Sequence, residues 1–310
     1  MKVTSLTMLT CIAWMAITGC RRENLSDAGA GAAPTQQSLQ RDDAPVKIAS
    51  LYAPSGYVKV WEDQFNTATI DASKWVAASL RDPVSGDLVP GAAGDHLLNT
   101  EYAGYITPED TYIENGSLVL RNQKRSYSGS SPAGSFNYTS GWVMSMHRGF
   151  FNKGYIEIKA KFPSGDKVWP AAWLIAEDLT WGPEWDMFEY FGYRSDVGYD
   201  NMGMHLAYGE WPDVSWSSAW IKPFDGTYDC EAWHVYGFEW TDTFAAWYID
   251  GVQVRKLNKG NAKGSKIYKK WPNENMYIVL NNGQRSSSPD ATTTWPNYLT
   301  VDYIEVYQKP

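Results

Sequence analysis

Three carboxylate side chains lie close together in an apolar part of the sequence. The segment 181–192, WGPEWDMFEYFG, places Glu184, Asp186 and Glu189 between bulky apolar residues, which predicts a buried strand. Buried acids are costly unless they serve a purpose. In a regular strand Glu184 and Asp186 share one face, and Glu189, five positions after Glu184, would point to the other. An inserted residue at 187–188, a β-bulge, would return Glu189 to the first face, and bulges are over-represented beside active sites.

Two such carboxyl groups can cleave a glycosidic bond together. One must be ionised to attack the anomeric carbon, and the other must hold a proton for the leaving oxygen. Crowding of acids raises the pKa of at least one of them, which produces this division of labour. With the bulge, we expect the carboxyl groups of Glu184 and Glu189 to approach to about 5–5.5 Å, the separation found in retaining glycosidases. Asp186 would hydrogen-bond the nucleophile.

The motif resembles that of a known family. The residues Glu184-Trp185-Asp186-Met187-Phe188-Glu189 fit E-x-D-x-x-E, which is similar to the active-site motif of glycoside hydrolase family 16 in the bulged form of laminarinases, agarases and carrageenases. The resemblance implies that Glu184 is the nucleophile, Asp186 its assistant and Glu189 the acid/base. It extends over nearly all of the chain from Tyr57 onward, through blocks at 138–163, 168–176, 233–254 and 299–308.

The departures from the family pattern concern the substrate. Pro183 and Trp185 stand where the family usually has glycine and a small aliphatic residue, and 281–284 reads NNGQ in place of a glycine-rich run. We expect an endo-acting enzyme on a β-1,3- or mixed β-1,3/1,4-glucan. The alternatives are an endo-galactanase on agarose, porphyran or carrageenan, and a non-catalytic carbohydrate-binding protein on the same fold, which would not need the acids.

Further residues are candidates for substrate binding. Trp169 and Trp173 would share one face if their segment alternates, and either could stack on a sugar ring or pack in the core. A polar loop is predicted around three more tryptophans, which would form outer subsites: Trp211, Trp216 and Trp220. The resemblance adds four positions: His205, for which a structural role is the alternative, Asn99, Glu101 and Asn281. It also implies a structural calcium with Asp302 as one ligand, although one carboxylate is little evidence for a site that needs 6–8 oxygens.

Strand periodicity predicts the fold class. In 155–162 the residues alternate, which predicts a core face with Ile156 and Ile158 and a solvated face with Tyr155 and Glu157. Two hairpin turns are indicated by Asn115-Gly116 and Asp250-Gly251, pairs that tolerate positive φ. We therefore expect an all-β protein, a sandwich of two antiparallel sheets with an open substrate groove. The family resemblance implies that this sandwich is a concanavalin-like β-jelly-roll.

The chain is predicted to have three parts. Residues 1–19 read as a lipoprotein signal peptide, because an apolar run ends in Ile-Thr-Gly before Cys20. Residues 20–56 would be the lipidated cysteine and a flexible linker, and 57–310 the catalytic domain. The protein would then be exported and held on a bacterial membrane, at the cell surface or in the periplasm, by the lipid on Cys20. Cys230 is left without a disulfide partner and is predicted to be buried.

Composition narrows the function classes. The chain has 16 Trp and 20 Tyr against 4 His and 3 Cys, a surplus of flat side chains that suits sugar binding. A net charge of −8 disfavours nucleic acid as a partner. Serine hydrolase chemistry is disfavoured because no G-x-S-x-G motif occurs, and zinc chemistry because the histidines lack ligand spacing. We expect a monomer that requires no cofactor.

Overall fold

The computed structural model describes residues 52–89, 103–131, 133–193, 198, 201–221, 228–260, 262–285 and 288–310. Within these ranges the protein is nearly all β. Its strands are β1 (Val58–Asp63), β2 (Val76–Ala77), β3 (Gly104–Ile106), β4 (Thr111–Glu114), β5 (Ser117–Ser130), β6 (Ala133–Met144), β7 (Gly154–Lys161), β8 (Ala171–Ala176), β9 (Glu184–Glu189), β10 (Met202–Tyr208), β11 (Ser215–Ile221), β12 (His234–Trp240), β13 (Phe244–Ile249), β14 (Val252–Asn258), β15 (Met276–Asn282) and β16 (Asn297–Gln308). The helical elements are a 3₁₀ turn at Pro108–Asp110 and α1 (Lys266–Lys269).

The described strands form one hydrogen-bonded path. Its order is β11-β10-β9-β8-β15-β6-β5-β16-β7-β12-β13-β14, with β1, β2, β3 and β4 attached to its sides. All neighbours on the path are antiparallel, and β3 pairs in parallel with β6. The long strands β5 and β6 lie in the middle of the path and join its two halves, which are the two layers that the sequence predicts.

The two layers pack face to face around an apolar core. Trp185 of β9 is fully buried, and its ring lies 5.4 Å from Phe238 of β12 and 5.9 Å from Trp247 of β13. These strands belong to opposite halves of the path, so the sheet folds back on itself. The all-β sandwich is confirmed, and the apolar face of β9 anchors that strand in the core.

The two predicted hairpins are also confirmed. Asn115 and Gly116 have φ of 51° and 73°, and Glu114 pairs with Ser117. The second turn repeats this geometry at Asp250 and Gly251, with φ of 50° and 76°. Positive φ at both central residues gives the turn a twist that matches the twist of the flanking strands.

The predicted solvated face of β7 is wrong in part. Ile156 and Ile158 lie in the core as expected, but Tyr155 and Glu157 on the other face are only 1% and 0% exposed. Tyrosines of the same sheet cover that face. The Glu157 carboxylate accepts hydrogen bonds from the hydroxyls of Tyr155 at 3.2 Å and Tyr303 at 2.9 Å.

Three further predictions concern the signal peptide, the linker and Cys230. The signal peptide and most of the linker, with Cys20, lie outside the described residues. Tyr52, near the end of the predicted linker, places its ring against Gly251. Cys230 is buried, as predicted, and forms no disulfide. None of the helices in the described ranges is long and apolar enough to cross a membrane.

Candidate active site

Strand β9 contains a bulge at the predicted place. On β10, His205 pairs with Asp186 and Gly203 pairs with Glu189, so two steps on β10 oppose three on β9. The pairing with β8 shifts at the same point of β9. One extra residue at 187–188 therefore turns Glu189 to the face that carries Glu184 and Asp186, and the predicted bulge is confirmed.

The three carboxylates line one open cavity on the outer side of their layer. The space between its walls is about 290 Å³ when the part open to solvent is included, and the carboxyl groups share these walls with Trp169, Ala171, Trp173 and Asn281. Glu184, Asp186 and Glu189 are 8%, 4% and 7% exposed. A pocket with aromatic walls and a few convergent polar groups is typical of a binding site for a small group such as a sugar ring.

Glu184 is held by two hydrogen-bond donors. Trp181, three residues earlier, donates its indole Nε1–H to Oε2 of Glu184 at 2.9 Å. Asp186 is a second hydrogen-bond partner. Burial raises the pKa of Glu184 to about 7, and both hydrogen bonds oppose that rise because they stabilise the carboxylate.

Glu189 has a matching donor at the other end of the cavity. Trp169 donates its Nε1–H to Oε1 of Glu189 at 2.9 Å, and Nε2 of His205 lies 3.5 Å from Oε2. Burial raises the pKa of Glu189 to about 8. The Trp169 hydrogen bond lowers it, the charge of Glu184 raises it, and the positive charge of Arg285 lowers it. Near neutral pH this carboxyl group retains its proton.

Asp186 lies between the two glutamates, and its negative charge is disfavoured there. Burial and the charges of Glu189 and Glu184 raise its pKa well above the usual range of an aspartate. A protonated Asp186 can donate its hydrogen bond to Glu184, and it then removes one negative charge from the crowded wall. The arrangement favours an ionised Glu184 beside two protonated neighbours.

Trp169 and Trp173 are fixed by Asn281. The Asn281 Oδ1 atom accepts the Nε1–H of Trp173 at 2.8 Å, and its Nδ2 donates to the carbonyl oxygen of Trp169 at 3.1 Å. Asn281 is 2% exposed. All three predicted residues line the cavity, and the structure adds the reason that they stand together.

The three downstream tryptophans divide between the two ends of the cavity. Trp211 and Trp216 are 69% and 48% exposed, and their rings lie 5.6 and 6.1 Å from the ring of Trp181, at the Glu184 end. Trp220 lies at the Glu189 end, 4.7 Å from His205. The prediction of a loop around all three is wrong, because Trp216 and Trp220 belong to β11, which pairs with β10 along its whole length.

Residues 99–305 match the profile of the family described as "Glycosyl hydrolases family 16". The chain belongs to this family. Its bulged strand, its acids and the order of its sequence blocks agree with the resemblance found in the sequence. The description of the family is that of enzymes that hydrolyse glycosides.

Relatives of known function and structure extend the match. The glucan endo-1,3-beta-glucosidase A1 of Niallia circulans is 26% identical over 298 residues, which is 89% of this chain and 42% of that protein. A beta-glucanase of Rhodothermus marinus is 25% identical over 265 residues, or 80% of this chain and 84% of that one. The catalytic domain of the Thermotoga petrophila laminarinase superposes with a TM-score of 0.65 at 25% identity, over 82% of this chain and 98% of that domain. The chain thus spans less than half of the first relative and most of the second.

Three residues predicted from the family resemblance are not seen at the cavity: Asn99, Glu101 and Asp302. Asn99 and Glu101 lie outside the described residues. The carboxylate of Asp302 forms an ion pair with Nζ of Lys159 at 2.8 Å. In the part of the chain that the structure describes, no group of three or more His, Cys, Asp or Glu side chains is arranged to hold a metal. Calcium stays a prediction of the family resemblance.

Sequence reasoning missed three residues that surround the acids. Trp181 contacts Glu184, while Arg285 and Phe191 pack around Trp169. Trp181 precedes the motif by three residues, and that proximity is a usable signal. Arg285 follows the end of β15, and only the pairing of its segment with 167–169 brings it to the site. Its sequence neighbours carry no such information.

Proposed function

We propose that the protein is a retaining, endo-acting hydrolase of a β-linked glucan with β-1,3 or mixed β-1,3/1,4 linkages. The observation that carries the proposal is the bulge at 187–188, because it puts Glu184 and Glu189 on one wall of one cavity. A double displacement needs one ionised and one protonated carboxyl group, and the surroundings of the two glutamates differ accordingly. Glu184 receives donors from both sides, and Glu189 retains its proton near neutral pH.

The mechanism has two steps. The Glu184 carboxylate attacks the anomeric carbon and forms a glycosyl ester, while the carboxyl group of Glu189 gives its proton to the leaving oxygen as the glycosidic bond breaks. Glu189, now ionised, takes a proton from water. The resulting hydroxide attacks the same carbon and releases Glu184, with overall retention. Asp186 donates its hydrogen bond to Glu184 and stabilises the ionised nucleophile before attack.

The substrate class is supported by the relatives and by the aromatic residues. The Niallia and Rhodothermus proteins are described as a glucan endo-1,3-beta-glucosidase and a beta-glucanase. Trp211 and Trp216 extend from the Glu184 end of the cavity into solvent, and they provide flat surfaces beyond the cleavage point. An internal stretch of a polysaccharide can rest on such a surface, which suits endo action.

A glycan panel tests the proposal. The protein is incubated with laminarin, lichenan, agarose, porphyran and carrageenan, and the products are sized over time. We expect oligosaccharides of mixed length from laminarin or lichenan, and NMR of the first products should show the β-anomer. Activity on a galactan alone would overturn the substrate assignment. Binding without cleavage, unchanged in Glu184→Gln, would overturn catalysis in favour of a carbohydrate-binding protein.

We also infer that the protein is an exported lipoprotein anchored through Cys20. The support is the leader sequence ending in Ile-Thr-Gly-Cys. Expression in a bacterial host with a radiolabelled fatty acid tests it. Label on the wild type and none on Cys20→Ser is the expected result, and an unlabelled, freely soluble wild type would contradict the anchor.

A further inference from the structure

The carboxyl group of Glu189 is one member of a closed ring of contacts. The indole of Trp169 meets the ring of Phe191 at 5.1 Å, and Phe191 meets Trp220 at 4.8 Å. Trp220 lies 4.7 Å from His205, whose Nε2 approaches Glu189. The Trp169 hydrogen bond to Glu189 completes the ring. Movement of any one member therefore disturbs the surroundings of Glu189.

Arg285 covers this ring at the contact between Trp169 and Phe191. The guanidinium carbon lies 4.7 Å from the centre of the Phe191 ring and 5.8 Å from that of Trp169. The backbone of Arg285 is held as well, because its N–H donates to the carbonyl oxygen of Lys167 at 2.9 Å. A guanidinium group over two aromatic faces is a stabilising contact that also fixes the position of its charge.

We propose that Arg285 is a positioning residue that sets the acidity of Glu189 through the Trp169 and Phe191 rings and through its own positive charge. The proposal rests on the proposed function, in which Glu189 must give a proton in the first step and take one in the second. A buried carboxyl group without a nearby cation would hold its proton too tightly for the second step. Arg285 stabilises the ionised form of Glu189, which the second step requires.

The direction of the effect follows from the charges around Glu189. On its own strand it faces Asp186 and Glu184, and on β10 it faces His205. Among the described residues Arg285 is the permanently charged cation that acts on it. Removal of that charge raises the pKa of Glu189. A loosened Trp169 hydrogen bond raises it further, because the lost donor had stabilised the carboxylate.

The test compares Arg285→Met and Arg285→Lys with the wild type. The pH profile of kcat/KM on the best glycan gives the alkaline limb, which reports the loss of the Glu189 proton in the free enzyme. We expect Arg285→Met to move that limb upward by about 0.5–1 pH unit and Arg285→Lys to leave it near the wild-type value. The Tm of each variant checks folding.

A second measurement keeps the result independent of the glycan assignment. The indole N–H signal of Trp169, assigned with Trp169→Phe, is followed by NMR across the pH range. Its midpoint reports the ionisation of Glu189 even if no substrate is cleaved, and it should rise in Arg285→Met.

The matched control is Lys256→Met. Lys256 lies on β14 and is exposed, and its ammonium group is 4.1 Å from the centre of the Phe244 ring. Neither readout should change in that variant. An unchanged NMR midpoint in folded Arg285→Met would overturn the proposal, and an equal shift in Lys256→Met would show a mere effect of net charge. Failure of hydrolysis with a shifted NMR midpoint would refute only the proposed function.

Discussion

The two ends of the cavity share one design element and differ in everything around it. At each end a tryptophan donates an indole N–H to a glutamate at 2.9 Å, Trp181 to Glu184 and Trp169 to Glu189. Behind Trp181 lie the exposed rings of Trp211 and Trp216. Behind Trp169 lies the closed ring of contacts under Arg285. Under the proposed function, the exposed rings at the Glu184 end offer a surface to the polymer, and the contacts at the Glu189 end control the proton of the acid/base.

The largest expected effect separates the two glutamates by role. Glu184→Gln should lose activity by about 10⁴-fold or more on every substrate, because no nucleophile remains. Glu189→Gln should lose about 10²–10⁴-fold on a polysaccharide and far less on an aryl glycoside whose leaving group needs no proton. Rates on both substrate types check this. Equal losses for both variants on the aryl glycoside would contradict the assignment of Glu184 as nucleophile and Glu189 as acid/base.

The next effect concerns the two indole donors. Trp181→Phe should raise the pKa of Glu184 and move the acid limb of the pH profile upward, because Glu184 must be ionised. Trp169→Phe should raise the pKa of Glu189 and move the alkaline limb upward. Each shift should be about 1 pH unit, since a hydrogen bond to a charged group contributes roughly 1.5–3 kcal/mol. Movement of the same limb in both variants would contradict the two-ended arrangement.

A smaller effect is expected at the exposed tryptophans. Trp211→Ala should raise KM for long glycans by up to about tenfold, as an aromatic contact is worth about 0.5–1.5 kcal/mol, and leave kcat nearly unchanged. Kinetics on a short oligosaccharide and on a polymer check it. The exposed Trp233, which lies by two lysines of β7, provides the control Trp233→Ala. A loss of kcat in Trp211→Ala would mean that Trp211 acts through Trp181.

The smallest effect is on stability. Burial raises the pKa of Glu184 from the ordinary 4.5 to about 7 and that of Glu189 from 4.5 to about 8. From pH 4.5 up to these raised values, the folded protein therefore holds more protons than the unfolded chain. Stability from this source is present at low pH and falls as pH rises through the window. Glu189→Gln should therefore raise the Tm by a few degrees at pH 9 and by less at pH 5. Glu184→Gln should show the smaller gain. Calorimetry at both pH values measures the Tm. An equal gain in Tm at pH 5 and pH 9 would show that the gain does not come from the raised pKa of the glutamate.

Local features of the site could be predicted from sequence because their signals are local. The odd spacing from Glu184 to Glu189, read together with the apolar residues between them, requires the bulge. Asn-Gly and Asp-Gly pairs required hairpins for the same kind of reason, since few other residues adopt positive φ at both central turn positions. The family motif then supplied the fold that local signals alone leave open.

Contacts between distant segments could not be predicted in this way. Tyr155 and Glu157 alternate as a solvated face should, and only the tyrosines of neighbouring strands exclude water from them. Trp216 and Trp220 lie in a run of serines that reads as a loop, and pairing with β10 makes it a strand. Arg285 reaches Trp169 through an isolated bridge between 168 and 284. Periodicity carries no information about such partners.

The paired indole donors have a consequence for the proposed catalytic cycle. An indole N–H can only donate, so it binds a carboxylate strongly and a neutral carboxyl or an ester weakly. When Glu184 becomes an ester it loses its charge, and at the same moment Glu189 gains one by giving up its proton. The single negative charge thus crosses from the partner of Trp181 to the partner of Trp169 and returns when water completes the reaction. At each position an indole N–H donor stabilises the negative charge, and the low-dielectric site holds only one anion at a time.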